Sequence, residues 1–162
     1  MLFRSDVLLP AGEEDILQGA FSMPNLGDIT GLILAGGQSR RMGGTDKAFT
    51  PLGGTPLLAR TIAKAKPQTG SLLINASGDV ARFASFGLPV IPDCIAGQMG
   101  PLAGIFSGLE WLRANRPGAR WLATFACDCP FFPADLVAQL LKKAEADKVP
   151  IVFATDRKST RL

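Results

Sequence analysis

The residues best suited to chemistry lie in one stretch, Leu34-Ala35-Gly36-Gly37-Gln38-Ser39-Arg40-Arg41-Met42-Gly43-Gly44-Thr45-Asp46-Lys47. Its four glycines, Gly36, Gly37, Gly43 and Gly44, let backbone amides approach phosphate oxygens with no Cβ in the way. Arg40, Arg41 and Lys47 can offset polyphosphate charge, arginine by a planar fork and lysine as a mobile point charge. A bare strand-to-helix turn has no need of such a cation cluster. The stretch is not a P-loop, because Lys47 follows Asp46 and precedes Ala48, where that motif needs Gly before the lysine and Ser or Thr after it. Nor does it fit the Gly-x-Gly-x-x-Gly dinucleotide fingerprint. It suits a nucleoside triphosphate and transfer of its nucleotidyl group.

The 162-residue sequence contains no histidine, which excludes Ser/His and Cys/His catalytic pairs. Carboxylates, lysine and a metal remain. Asp128 ends the apolar run Trp121 to Ala126 and precedes Pro130. An ionised group beside buried strands is destabilising by several kcal/mol unless paired, and a hard divalent cation is a natural partner. Magnesium fits, since it takes few protein carboxylates and borrows phosphate oxygens. The alternative is that Asp128 caps a helix over 131–142. Asn75, at the end of another apolar run, suits either a ligand contact or a cap on its own loop. Asp93, after Pro92, fits a plain Asx-turn equally well. Gly100 to Gly104 can open a helix whose free amides favour an anion, or form a tight loop.

These side chains need elements to carry them. Apolar runs at Ile29–Ala35, Leu72–Ala76, Trp121–Ala126 and Val149–Ala154 have the length of buried parallel strands, and Leu88–Ile91 is a weaker one between prolines. Helical spacing joins Leu102, Ile105, Phe106, Leu109 and Leu112, and again Leu136, Val137, Leu140, Leu141 and Ala144. Pro101 and Pro133 fit first helical turns, and Pro56 is placed to open a third helix through Lys64. The expected fold class is α/β, a βαβ sandwich with a mostly parallel sheet.

The length suits one domain, and 47% hydrophobic with 19% charged residues excludes intrinsic disorder. The net charge of +3, concentrated in the glycine-rich stretch, points to a phosphate ligand and not to a nucleic acid. No apolar run is long enough to cross a bilayer, so neither a membrane partner nor an address outside the cytoplasm is expected. Cys94, Cys127 and Cys129 match neither a disulfide set nor a zinc spacing. Residues 1–28 read as an extension, disordered or preceding the true start, and residues 29–155 as the incomplete nucleotide-binding domain. The tail 156–162, DRKSTRL, back-translates to a common sequencing adapter and is set aside as non-native.

The stretch from Leu34 to Lys47 resembles the nucleotidyltransferase signature Leu-Ala-Gly-Gly-x-Ser-x-Arg-Met-Gly-x-Asp-Lys. With Ile74-Asn75-Ala76, Val90-Ile91-Pro92-Asp93, Gly100-Pro101-Leu102-Ala103-Gly104 and Cys127-Asp128-Cys129-Pro130-Phe131 in the same order, the chain resembles the molybdenum cofactor guanylyltransferase family from about Ile29 to Thr155. The resemblance implies a three-layer α/β/α Rossmann-like nucleotidyltransferase fold and transfer of GMP from GTP to molybdopterin, with release of pyrophosphate. It implies that Leu34, Ala35, Gly36, Gly37, Lys47, Asn75, Asp93 and Asp128 hold the nucleotide, Asp128 with Mg²⁺, and that Lys47, Arg41 and Asp128 serve catalysis. Molybdenum-insertion and molybdoenzyme maturation proteins are the macromolecular partners it suggests. The doubled glycine Gly43-Gly44 departs from the signature, and the family's later segment, which helps complete the metal and acceptor sites, is expected to be missing. The alternatives are a nucleotidyltransferase using CTP or a sugar phosphate, and a fragment that binds nucleotide without turnover.

Overall fold

A computed structural model describes residues 1–5, 25–36, 47–95 and 100–155. Its strands and helices, in chain order, are β1 (Leu2–Arg4), β2 (Ile29–Leu34), β3 (Pro51–Leu52), β4 (Thr55–Pro56), α1 (Leu57–Ala65), β5 (Ser71–Asn75), β6 (Val90–Ile91), α2 (Pro101–Asn115), β7 (Trp121–Ala126), α3 (Leu136–Asp147) and β8 (Ile151–Val152). The main sheet has the order β6-β5-β2-β7-β1-β8, and β3 and β4 form a separate hairpin. Strands β6, β5, β2 and β7 run parallel, while β1 is antiparallel to both β7 and β8.

Two-residue alternation sends side chains of the central strands to opposite faces. Ile29 and Ile33 of β2, Leu72 and Ile74 of β5, and Trp121, Ala123 and Phe125 of β7 join a core with Leu58 of α1 and Val137, Leu140 and Leu141 of α3. Leu32, Leu73 and Leu122 point the other way and pack with Ile105, Leu109 and Leu112 of α2. Helices therefore cover both faces, which is why these strands read as unbroken apolar runs. Close approach of α2 to the sheet depends on a missing side chain: a Cβ at Gly108 would stand 2.6 Å from Leu32 Cδ2. The result is the α/β/α sandwich expected of the sequence.

Three local expectations are corrected. The helix expected over 131–142 begins at Leu136, with Asp135 at its N-cap. Pro133 restrains Phe132 from helical geometry, so it precedes the helix and its carbonyl accepts from the Leu136 amide at 3.3 Å. Asp128 is thus no helix cap. The strand expected over Val149–Ala154 is confined to Ile151–Val152. Residues 2–4, set aside within an extension, form a sheet strand with Leu2 fully buried between Ala123 and Val152. Three residues are too few to display a period. Residues 6–24 and the tail 156–162 lie outside the described residues.

Candidate nucleotide site

Four parallel strands end on one edge of the sheet, and ligands of open α/β sheets bind beyond that edge. The ladder continues one residue past the strands: Ala35 N donates to Asn75 O at 2.8 Å, Ala76 N to Ile91 O at 3.0 Å and Cys127 N to Leu34 O at 3.2 Å. Leu34-Ala35-Gly36, Asn75, Asp93 and Asp128 are thereby gathered on a shared rim. The order in which strands are added reverses beside β2, since β5 and β6 lie to one side of it and β7 to the other. That crevice is where a ligand fits between the strand ends.

One corner of the rim is built around Asn75, which is 3% exposed. Its carboxamide nitrogen donates to Asp93 Oδ1 at 2.9 Å and to Ile91 O at 3.3 Å, so both amide hydrogens are engaged within the protein. The carboxamide oxygen lies over Gly104, where any Cβ would collide with it and would also approach Leu34 Cδ2 to 2.9 Å. Gly104 must therefore be glycine for α2 to reach this corner. The helix starts at Pro101 after Gly100, whose φ of 65° and ψ of −156° suit glycine alone. In this structure the Asn75 amide reaches neither its own loop nor a helix end but fixes Asp93. Asp93 is half-buried, with its remaining acceptor capacity on the rim.

The other corner is an open ion pair. Lys47 Nζ lies 3.6 Å from Asp128 Oδ2, and the side chains are 50% and 40% exposed. Lys47 opens a short 3₁₀ turn, Lys47–Phe49, anchored by fully buried Ala48 and by Phe49. The Phe49 ring packs 5.3 Å from Phe83 and 6.2 Å from Phe86, and the Arg82 guanidinium lies over both Phe49 and Phe83. A flexible lysine thus springs from a rigid base. Cys129 Sγ lies 3.7 Å from Asp128 Oδ1. Burial raises the Cys129 pKa, the Asp128 charge and this hydrogen bond raise it further, and Lys47 opposes them. The thiol stays protonated at neutral pH and donates to the carboxylate.

No group of three or more Cys, Asp or Glu side chains that could cage a metal occurs among the described residues. Asp128 nonetheless fits a divalent cation shared with phosphate, being a hard oxygen donor open to solvent. Gly37, Arg40 and Arg41 lie outside the described residues. Two buried hydroxyls near the site, on Thr61 and Ser107, gave no sign in the sequence. Each reaches from a helix to the loop that follows a strand.

The sequence profile of the MobA-like NTP transferase domain matches residues 31–161. A molybdenum cofactor guanylyltransferase of Bradyrhizobium sp. strain ORS 278 is 48% identical over 126 residues, covering 78% of this chain and 59% of that protein. The crystal structure of a homologue of Mycobacterium tuberculosis Rv0371c from Mycobacterium sp. strain JC1 superposes with a TM-score of 0.60 at 30% identity, over 73% of this chain and 60% of that one. Rv0371c of M. tuberculosis H37Rv, in complex with manganese, has the same fold, with a TM-score of 0.52 at 22% identity over 74% of this chain and 60% of that one. The chain spans about three-fifths of the length of the curated relatives it matches.

Proposed function

From its place in the MobA-like NTP transferase family, to which this chain belongs, we propose that it transfers GMP from GTP to molybdopterin and releases pyrophosphate. The carrying observation is the rim itself, with Gly36, Asn75, Asp93 and Asp128 at the ends of parallel strands and Lys47 reaching over Asp128.

In this reading an oxygen of the terminal phosphate of molybdopterin attacks the α-phosphorus of GTP. The bond from that phosphorus to the bridging oxygen breaks, and pyrophosphate leaves with the electron pair. No protein nucleophile is needed, in keeping with a sequence that lacks histidine. Phosphoryl-type transfer asks the protein for position and charge stabilisation. Lys47 supplies a mobile positive charge to the phosphates, joined by Arg41 of the glycine-rich stretch. Asp128 would hold Mg²⁺, which would supply Lewis-acid stabilisation of the charge that develops on the phosphates. Leu34, Ala35, Gly36 and Gly37 present backbone to the nucleotide, and Asp93, fixed by Asn75, contacts it on the opposite side of the rim.

No helix among the described residues is long and apolar enough to cross a membrane, and we assign the reaction to the cytoplasm, upstream of molybdoenzyme maturation proteins. The test is pyrophosphate release with GTP, Mg²⁺ and molybdopterin, run beside CTP and ATP. Release that depends on metal and molybdopterin and prefers GTP is expected. Equal release with CTP would point to another nucleotidyltransferase, and nucleotide binding without release to a binding-only fragment.

A further inference from the structure

Both rim aspartates are flanked by backbone that a buried helix hydroxyl holds from outside the strand. Thr61, in α1, is fully buried, and its hydroxyl donates to Cys127 O at 3.1 Å, one residue before Asp128. A helical threonine ordinarily bonds back to its own preceding turn. Here the bond instead crosses to a residue 66 positions away. Ser107, in α2, is 4% exposed; its hydroxyl donates to Ala103 O at 2.8 Å and accepts from Cys94 N at 2.8 Å, one residue after Asp93. The two helices lie on opposite faces of the sheet. Each face thus supplies one clamp, and each clamp grips the loop of a different aspartate.

We propose that Thr61 and Ser107 are positioning residues for the nucleotide site, Thr61 holding Asp128 toward the metal and phosphates and Ser107 holding Asp93 toward the nucleotide. The proposal rests on the reading given above for the site. Its physical basis is the strand-end loop. Beyond the strand, the backbone of the Asp128 turn is also held by bonds from Cys127 N to Leu34 O at 3.2 Å and from Cys129 N to Ala126 O at 3.3 Å, both near the long end of the range. A third bond from a rigid helix narrows the positions that the carboxylate can take. A carboxylate held loosely loses affinity for a hard cation and leaves the total charge unchanged.

The test uses Thr61→Val, which keeps the shape and removes the hydroxyl, Thr61→Ser, which restores it, and Ser107→Ala. Three quantities are measured: amide hydrogen exchange at Cys94 and Cys129 by NMR, metal-free GTP binding by calorimetry, and Mn²⁺ binding to the GTP complex by electron paramagnetic resonance. Loss of one buried hydrogen bond changes an equilibrium by about three- to tenfold. Thr61→Val should speed exchange at Cys129 and weaken Mn²⁺ binding by about that factor, with metal-free GTP binding unchanged and Thr61→Ser near wild type. Ser107→Ala should speed exchange at Cys94 and weaken metal-free GTP binding, with Mn²⁺ affinity unchanged. A merely structural role would weaken both ligands in both variants, and that result overturns the proposal. So does either variant that leaves its own loop and ligand unaffected. If the wild type binds no Mn²⁺ with GTP, the metal assignment of Asp128 fails, and the exchange rates still decide the clamps: faster exchange upholds them and unchanged exchange removes them.

Discussion

The Asn75–Asp93 corner and the Lys47–Asp128 corner share one sheet edge, yet they are finished to different degrees. Asn75 has both amide hydrogens engaged and its oxygen seated on Gly104, so this corner is set before any ligand arrives. Lys47 and Asp128 face each other at 3.6 Å with much of each side chain in solvent, where an ion pair contributes only about 0–1 kcal/mol. Such a pair separates readily. A phosphate can draw the lysine and a cation the aspartate at little cost to the fold. The contrast suggests a division of labour, with recognition in the rigid corner and charge handling in the open one.

That division can be broken by experiment. Asp128→Ala should have the largest effect, lowering kcat in pyrophosphate release by about a thousandfold while calorimetry finds metal-free GTP binding intact. Wild-type turnover would remove Asp128 from the chemistry. Lys47→Ala should lower kcat/KM by about a hundredfold, and Lys47→Arg should recover only part, since a planar fork does not replace a mobile point charge. Gly104→Ala should act on the other corner, raising KM for GTP about tenfold with kcat near normal and lowering stability by about 1–3 kcal/mol in denaturant unfolding, because the Asn75 carboxamide must move. A loss confined to kcat there would erase the distinction between the corners. Smallest is the effect of salt: raising ionic strength from about 0.05 to 0.5 M should increase KM for GTP a fewfold through screening of Lys47, with a flatter dependence in Lys47→Ala.

The legible parts of this site share a property. Asn75, Asp93 and Asp128 each interrupt or follow an apolar strand run, so a polar side chain there stands out against its neighbours. Thr61 and Ser107 do not, because one hydroxyl on a helix looks the same whether it bonds to its own turn or to a loop brought near by the fold. The central strands and α2 were readable from period and length. The start of α3 was not, since the apolar pair Phe131-Phe132 continues its pattern while Pro133 forbids its geometry. The ion pair of Lys47 with Asp128 joins parts of the chain that only sheet order brings together.

Strand β1 bears on how the chain reaches this state. Met1 donates its amine to Thr124 O, 123 residues along, and Leu2 pairs with both Ala123 and Val152. Strand β1 therefore finds its place only when β7 and β8, far along the chain, are present to pair with it. Closing so long a loop slows folding, and a sheet left open at β7 presents an unpaired edge in the interval. Synthesis rate and chaperone access would then govern the yield of folded protein as much as final stability does.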